Sequence, residues 1–232
     1  LKIDKEPIDL YGDMEASKDP IYKRLNSIKR IEQSYDFMMK GIINASDEDL
    51  IIISDNDEIP NLNSNKFKKS NKKFYIFKQL LFYYKFNLLH ETMPWFGSKA
   101  CKKKYLKSFS NLRNLKNKKY PFWRIDTYFS NLKETSLDII GDGGWHFTNI
   151  KTPEDLYIKM KNFGHHDEFD ESKLTIEDLR KKIDDGLVFY DHFIDKKSED
   201  KWKGNYKLKR IENHLLPDYL IKNQNNFKEW FK

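Results

Sequence analysis

Asp55 and Asp57 stand two residues apart, directly after Leu50-Ile51-Ile52-Ile53 and directly before Glu58-Ile59-Pro60. In extended backbone alternate side chains share a face, so the two carboxylates are expected to project together and hold one hard divalent cation, Mn2+ or Mg2+. Such a cation keeps open coordination positions and bridges readily to a diphosphate, whose developing negative charge it offsets. The competing reading is an acidic turn whose side chains only cap nearby amides. The four branched apolar residues tell against it, because they place the pair at the carboxyl end of a buried strand, where ligands of open α/β sheets bind.

Further along, Gly141-Asp142-Gly143-Gly144-Trp145-His146-Phe147 sets a carboxylate and a histidine beside three glycines that permit close backbone approach. Asp142 is the first candidate for a general base that takes a proton from a hydroxyl, Glu58 is the second, and an ordinary turn role for Asp142 is the alternative. His146 reads as a partly buried histidine satisfied by a backbone carbonyl. Trp95 and Trp145 each offer a flat apolar ring to a ligand or to the core, and the glycines beside Trp145 favour it for the former. Lys99 and Arg124 are the candidate diphosphate partners. In His165-His166-Asp167-Glu168 the adjacent histidines point in different directions on regular backbone, which suits a polar helix end better than a second metal site. Zinc-ligand spacing, a phosphate-binding glycine loop and a serine nucleophile elbow do not occur in the sequence.

These residues need elements to hold them. Apolar positions Ile21, Leu25, Ile28, Ile31, Tyr35, Met38 and Ile42 recur at steps of three or four and predict a helix with one stripe against a sheet. The run Leu50–Ile53 predicts a central strand covered on both faces. Phe74 to Leu89 is rich in Phe and Tyr and predicts strand, with helix as the alternative. Trp95-Phe96-Gly97 and Pro121-Phe122-Trp123-Arg124-Ile125 are expected to frame a second sheet region. Thr152-Pro153-Glu154-Asp155 and Thr175 read as helix starts, and Gly186 as a helix stop. No linker divides the chain, so residues 1–232 are expected to form one catalytic domain with 187–232 as a C-terminal helical appendage.

The composition can supply a core for a single domain of 232 residues. Aliphatic residues are sparse, but 17 Phe and 13 Tyr supply apolar area for a core. The net charge of +7 comes largely from Lys scattered among Asn, a solvated surface rather than a polyanion footprint, so nucleic acid is not expected as a partner. The single Cys101 rules out an internal disulfide and suits a reducing, cytoplasmic setting. Neither a membrane span nor a signal peptide is read from the sequence.

The run from Ile51 to Pro60, followed by Gly144-Trp145-His146-Phe147 and by Phe163-Gly164-His165 with Glu168, resembles glycosyltransferase family 17, the group that includes the β-1,4-mannosyl-glycoprotein N-acetylglucosaminyltransferase. The likeness covers roughly Arg24 to Phe169. It implies an α/β fold of the GT-A type, a mixed central sheet flanked by helices, with the first part of the nucleotide-binding half lying upstream of Leu1. It also implies a UDP-sugar donor, UDP-GlcNAc by default, a divalent cation, a carbohydrate acceptor and inversion at the anomeric carbon. On that resemblance His146 joins Asp55 and Asp57 as a metal ligand. Asp55, Asp57, Lys99 and Arg124 would bind the donor, and Trp95, Trp145, His165 and Glu168 would face the acceptor. Two rival classes stay open: a non-catalytic carbohydrate- or nucleic-acid-binding module, and a metal-dependent phosphohydrolase on the same acidic strand end.

Overall fold

A computed structural model describes residues 6, 7, 9–12, 20–162, 166–191, 201, 202 and 205–232. The protein is mixed α/β, a mixed sheet flanked by helices, and it divides into two compact units. Leu1–Gln79 and Trp95–Gly144 form the first, Leu80–Pro94 and Trp145–Lys232 the second. Among the described residues no helix is long and apolar enough to cross a membrane.

In the first unit the helix α1 (Pro20–Met38) runs on as a 3-10 turn over Met39–Ile42. Strands β1 (Leu50–Ile53) and β2 (Glu58–Pro60), helix α2 (Asn65–Lys69) and strand β3 (Phe74–Tyr83) follow. After β4 (Leu88–Leu89), which belongs to the second unit, come β5 (Trp95–Lys102), α3 (Phe109–Asn114) and β6 (Leu137–Ile140). β1 pairs antiparallel with β5, Leu50 facing Lys102 and Ile53 facing Lys99. β5 pairs antiparallel with β3, and β3 pairs parallel with β6. Among the described residues β1 is therefore an edge strand, not the central one that its sequence predicts.

Strand alternation explains how an edge strand comes to be apolar throughout. Ile51, Ile53, Phe74, Ile76, Cys101 and Leu137 share one face and pack on Phe109, Leu112 and Leu115 in and after α3. Tyr75, Phe77, Ala100 and Ile140 take the opposite face, with Ile52 and the α2 residue Phe67 against them. One face of β1 is buried through Ile51 and Ile53, whereas on the other Ile52 is only half-buried and Leu50 is exposed, so the expected cover on both faces is found on one. The α1 stripe packs only at its C-terminal end, where Tyr35, Met38 and Ile42 reach this core, whereas Ile21, Ile28 and Ile31 are exposed. Pro121–Ile125 holds no strand. It is a turn leading into a 3-10 turn over Ile125–Thr127, so the expected sheet-framing role is not found.

Cys101 has no exposed surface, and burial pushes its thiol up to about 12. Since the thiolate is the nucleophile, the native protein is expected to leave a disulfide reagent unreacted at pH 8 and to consume one equivalent after unfolding in guanidinium. Rapid labelling without denaturant would contradict this burial.

In the second unit the C-terminal half of β3 pairs parallel with β7 (Gly144–Thr148), Leu80 beside Trp145 and Tyr83 beside Thr148. β4 pairs antiparallel with β3 and with β8 (Lys209–Arg210). Helices α4 (Pro153–Asn162), α5 (His166–Ser172), α6 (Ile176–Asp185) and α7 (Asp218–Lys222) complete it. The predicted caps are present: Thr152 Oγ1 accepts from the Asp155 amide at 3.1 Å, Thr175 forms a capping box with Asp178, and Gly186 closes α6 at φ 65°. Aromatic rings make up much of the core, with Phe82 stacked on Phe147 at 5.1 Å and Phe86 edge-on to Phe147 at 5.2 Å. The described residues from 187 onward are laced into this unit. The Tyr84 hydroxyl donates to Leu187 O at 3.1 Å, and Asn87 exchanges two 2.9 Å hydrogen bonds with the backbone of Lys232.

Candidate functional site

β1 ends at Ile53, and the chain then turns rather than continuing extended. The Glu58 amide donates to Asp55 O at 3.1 Å, closing a turn of which Asn56 and Asp57 are the corner. Asp55 and Asp57 thus ride a turn at the strand end, and the two-residue periodicity of a strand is not what sets their directions. Glu58, the first residue of β2, is drawn inward by partners on β5 and α3, and the reversal comes directly before it.

Glu58 is the fixed point beneath this turn. Its side chain is fully buried; Oε1 accepts from Trp95 Nε1 at 2.7 Å, and Oε2 accepts from the Asp55 amide at 3.2 Å and from Ser98 Oγ at 3.3 Å. Arg113, in the last turn of α3, places Nη1 3.6 Å from Oε1 and pairs through Nη2 with Asp55. Burial opposes the Arg113 charge, yet the two carboxylates outweigh it and its pKa lies above the ordinary guanidinium value. Ser98 is held in turn by Ser54 Oγ at 2.6 Å and by Gln79 Nε2 at 3.1 Å. Gly97 makes room for all this, because a Cβ there would stand 2.6 Å from the Glu58 carboxyl and 2.1 Å from Gln79 Oε1.

Lys99 does not face the turn with a free ammonium. It is buried on β5 and donates from Nζ to Arg113 O and Leu115 O, each at 2.7 Å, which ties the end of α3 to the sheet. Burial, aided by the nearby Arg113, lowers its pKa to about 8. Arg124 contacts Asp126 at 2.6 Å and lies 5.3 Å from the centre of the Tyr120 ring.

The glycine loop before β7 is tied to the segment after the acidic turn. Gly143 O accepts from the Asn61 amide and Asp142 O from Asn61 Nδ2, both at 3.0 Å. The close approach that the glycines were expected to permit is made by the protein's own backbone. A Cβ on Gly143 would meet Lys78 N at 2.5 Å, and one on Gly144, at φ 111°, would meet Ile59 O at 2.1 Å. Asp142 accepts from Ser64 Oγ at 2.5 Å, the same hydroxyl that caps α2 by accepting from the Phe67 amide. Asn61 follows Asp57 by four residues, so this loop is anchored within about 14 Å of chain from the acidic corner.

No family model, no curated protein and no solved structure matches this chain.

The remaining expected site residues lie in the second unit or outside the described residues. His146 is buried on β7 beside Leu81. Trp145 donates from Nε1 to Leu215 O at 2.6 Å and packs on the aromatic core. Glu168 on α5 pairs with Lys201 at 2.6 Å, with both side chains mostly buried. His165 lies outside the described residues. Asp55, Asp57, Glu58, Lys99, Trp95, Arg124 and Asp142 all belong to the first unit, while Trp145, His146 and Glu168 belong to the second. Among the described residues no group of three His, Cys, Asp or Glu side chains is placed to hold a metal ion. The chemistry of the turn nevertheless suits one: Asp55 and Asp57 are hard oxygen donors at least partly open to solvent, and Asp55 already attracts a guanidinium. Sequence reading missed Arg113, Ser54, Ser98 and Gln79. The one available signal for Arg113 is that only six of the 43 basic residues are arginine, the residue suited to paired carboxylates.

Proposed function

We propose that this protein is an inverting, metal-dependent glycosyltransferase of the family 17 kind, moving a sugar from a UDP-sugar, UDP-GlcNAc by default, to a carbohydrate acceptor. The observation that carries the reading is the solvent-facing Asp55–Asp57 turn at the end of β1, fixed from below by the buried Glu58. A divalent cation held by Asp55 and Asp57 would supply positive charge against a departing diphosphate. Glu58 keeps the turn from collapsing, since its carboxylate fixes the Asp55 amide and Trp95 at once. Arg113 stands at Asp55 with a second fixed positive charge, positioned to neutralise an anionic leaving group. Asp142 is the base in this proposal: it is exposed, and its one hydroxyl partner leaves lone pairs for an acceptor hydroxyl. Positioning and electrostatics do most of the work, because a nucleotide-sugar is already activated.

Thermal denaturation with UDP, Mn2+ and both together tests the proposal. UDP is expected to raise the midpoint only when Mn2+ is present, because a ligand that binds only the native state stabilises it by mass action. No shift with the pair, or phosphate release without acceptor, would transfer the turn to a phosphohydrolase or to a structural role.

A further inference from the structure

Between Lys116 and Leu132 the chain makes a closed loop, its base fastened by the Lys116 amide to Leu132 O at 2.8 Å and by Asn111 Nδ2 to Asn131 O at 2.5 Å. The loop carries five large apolar side chains within eight residues, and all of them face solvent. Phe122, Trp123, Ile125, Tyr128 and Phe129 are 74, 70, 71, 74 and 86% exposed. The loop that displays them is held by its own hydrogen bonds. Thr127 turns back on Arg124 O with both its amide, at 3.1 Å, and its hydroxyl, at 2.6 Å, and the Tyr128 amide donates to Ile125 O at 3.0 Å. Asp126 clamps the flanks by pairing with Arg124 and Lys133, each at 2.6 Å. That pairing also neutralises the one acidic side chain at the tip. Lys116 and Lys118 stand exposed on the approach to it, beside Lys119, which pairs with Asp138 at 2.6 Å, so the surroundings of the apolar tip are basic.

From this combination we infer that the loop 116–132 docks the protein on an anionic lipid surface, the aromatic tip entering the interface while the lysines meet the headgroups. Aromatic and branched apolar side chains rimmed by Lys are the chemistry of interfacial binding, in which buried apolar area and attraction to acidic lipids add. A sugar-stacking platform fits less well. The Phe122 and Trp123 rings stand at 84° to each other, presenting a wedge rather than one plane, and Ile125 between them and Tyr128 has no ring to offer. The inference does not rest on the transfer reading, since it uses neither Asp55 nor Asp57.

The test is co-sedimentation of the full chain with vesicles of phosphatidylserine and phosphatidylcholine, against phosphatidylcholine alone, at low and high salt. The chain is expected to bind the acidic vesicles, to bind neutral ones weakly, and to be released in part by salt. The triple variant Phe122→Ser, Trp123→Ser, Phe129→Ser should lose about tenfold or more in partition, because the apolar tip is removed. The pair Lys116→Glu, Lys118→Glu should weaken binding to acidic vesicles alone. All five positions are exposed, so unchanged circular dichroism is expected for both variants. Absence of binding to acidic vesicles, or binding that the aromatic variant leaves intact, would overturn the inference. So would binding of a single-stranded oligonucleotide in place of vesicles, or self-association in their absence that the same substitutions abolish.

Discussion

Replacing Glu58 with alanine is expected to lower stability by about 3–5 kcal/mol, the usual cost of removing one partner from a buried charge pair. Three donors lose their acceptor together, the Trp95 indole, the Ser98 hydroxyl and the Asp55 amide, and the Arg113 guanidinium loses its inner counter-charge. The midpoint of thermal unfolding should fall by on the order of 10 °C for a chain of this size. Gly97 sharpens the expectation, since it leaves a cleft shaped to the carboxyl and a truncated side chain would leave that space unfilled.

Glu58→Gln separates the two roles that the sequence leaves to this residue. The amide keeps the shape and retains one oxygen for Trp95, so a structural Glu58 predicts a loss of about 1–3 kcal/mol and activity that persists in whatever fraction stays folded. A catalytic base predicts the reverse, a folded protein in which transfer is gone. Equilibrium unfolding in urea alongside UDP release from the same preparation distinguishes them. The burial of the carboxyl under Trp95 and Ser98 favours the structural outcome.

How much of this was legible beforehand differs from element to element. The Leu50–Ile53 run correctly reports a strand, but its two faces are covered unequally and side-chain pattern carries no count of sheet neighbours, so its edge position had no signature. The α1 stripe has the right period, yet periodicity only says that a face is apolar, and its first turns are left exposed. The spacing of Asp55 and Asp57 gives their proximity along the chain. Their geometry depends on where the strand stops, and that is decided by Glu58 finding partners on β5 and α3, contacts some forty and fifty-five residues away in sequence. Gly143 and Gly144 were legible as places of close approach, while what approaches them, Lys78 and Ile59, was not. Phe122, Trp123 and Ile125 mislead in the other direction, because apolar composition normally signals burial and here a hydrogen-bonded loop holds them outside. Arg113 left no trace beyond being one of six arginines, because its contacts with Asp55 and Glu58 are distant in sequence and make no local pattern.

Asp57→Ala carries the largest expected effect on function. In the proposed reaction its carboxylate would help hold a cation that supplies positive charge against the leaving group, and loss of such charge stabilisation is expected to cut transfer on the order of a thousandfold. Asp57 occupies the corner of the turn and is half-buried, so its removal should cost the fold far less than removal of the fully buried Glu58. The contrast with Glu58 is the informative part. Two acidic residues adjacent in sequence are expected to fail in opposite ways, one by unfolding with its chemistry a bystander, the other by losing chemistry with its fold intact. Asp55→Ala should fall between them, since it removes a proposed cation ligand and also releases Arg113 from its outer partner. UDP release measured with Mn2+, without it, and with excess chelator decides the matter. If the Asp57 variant keeps metal-dependent turnover, the acidic corner is only a turn, and the cation site must be sought elsewhere in the chain.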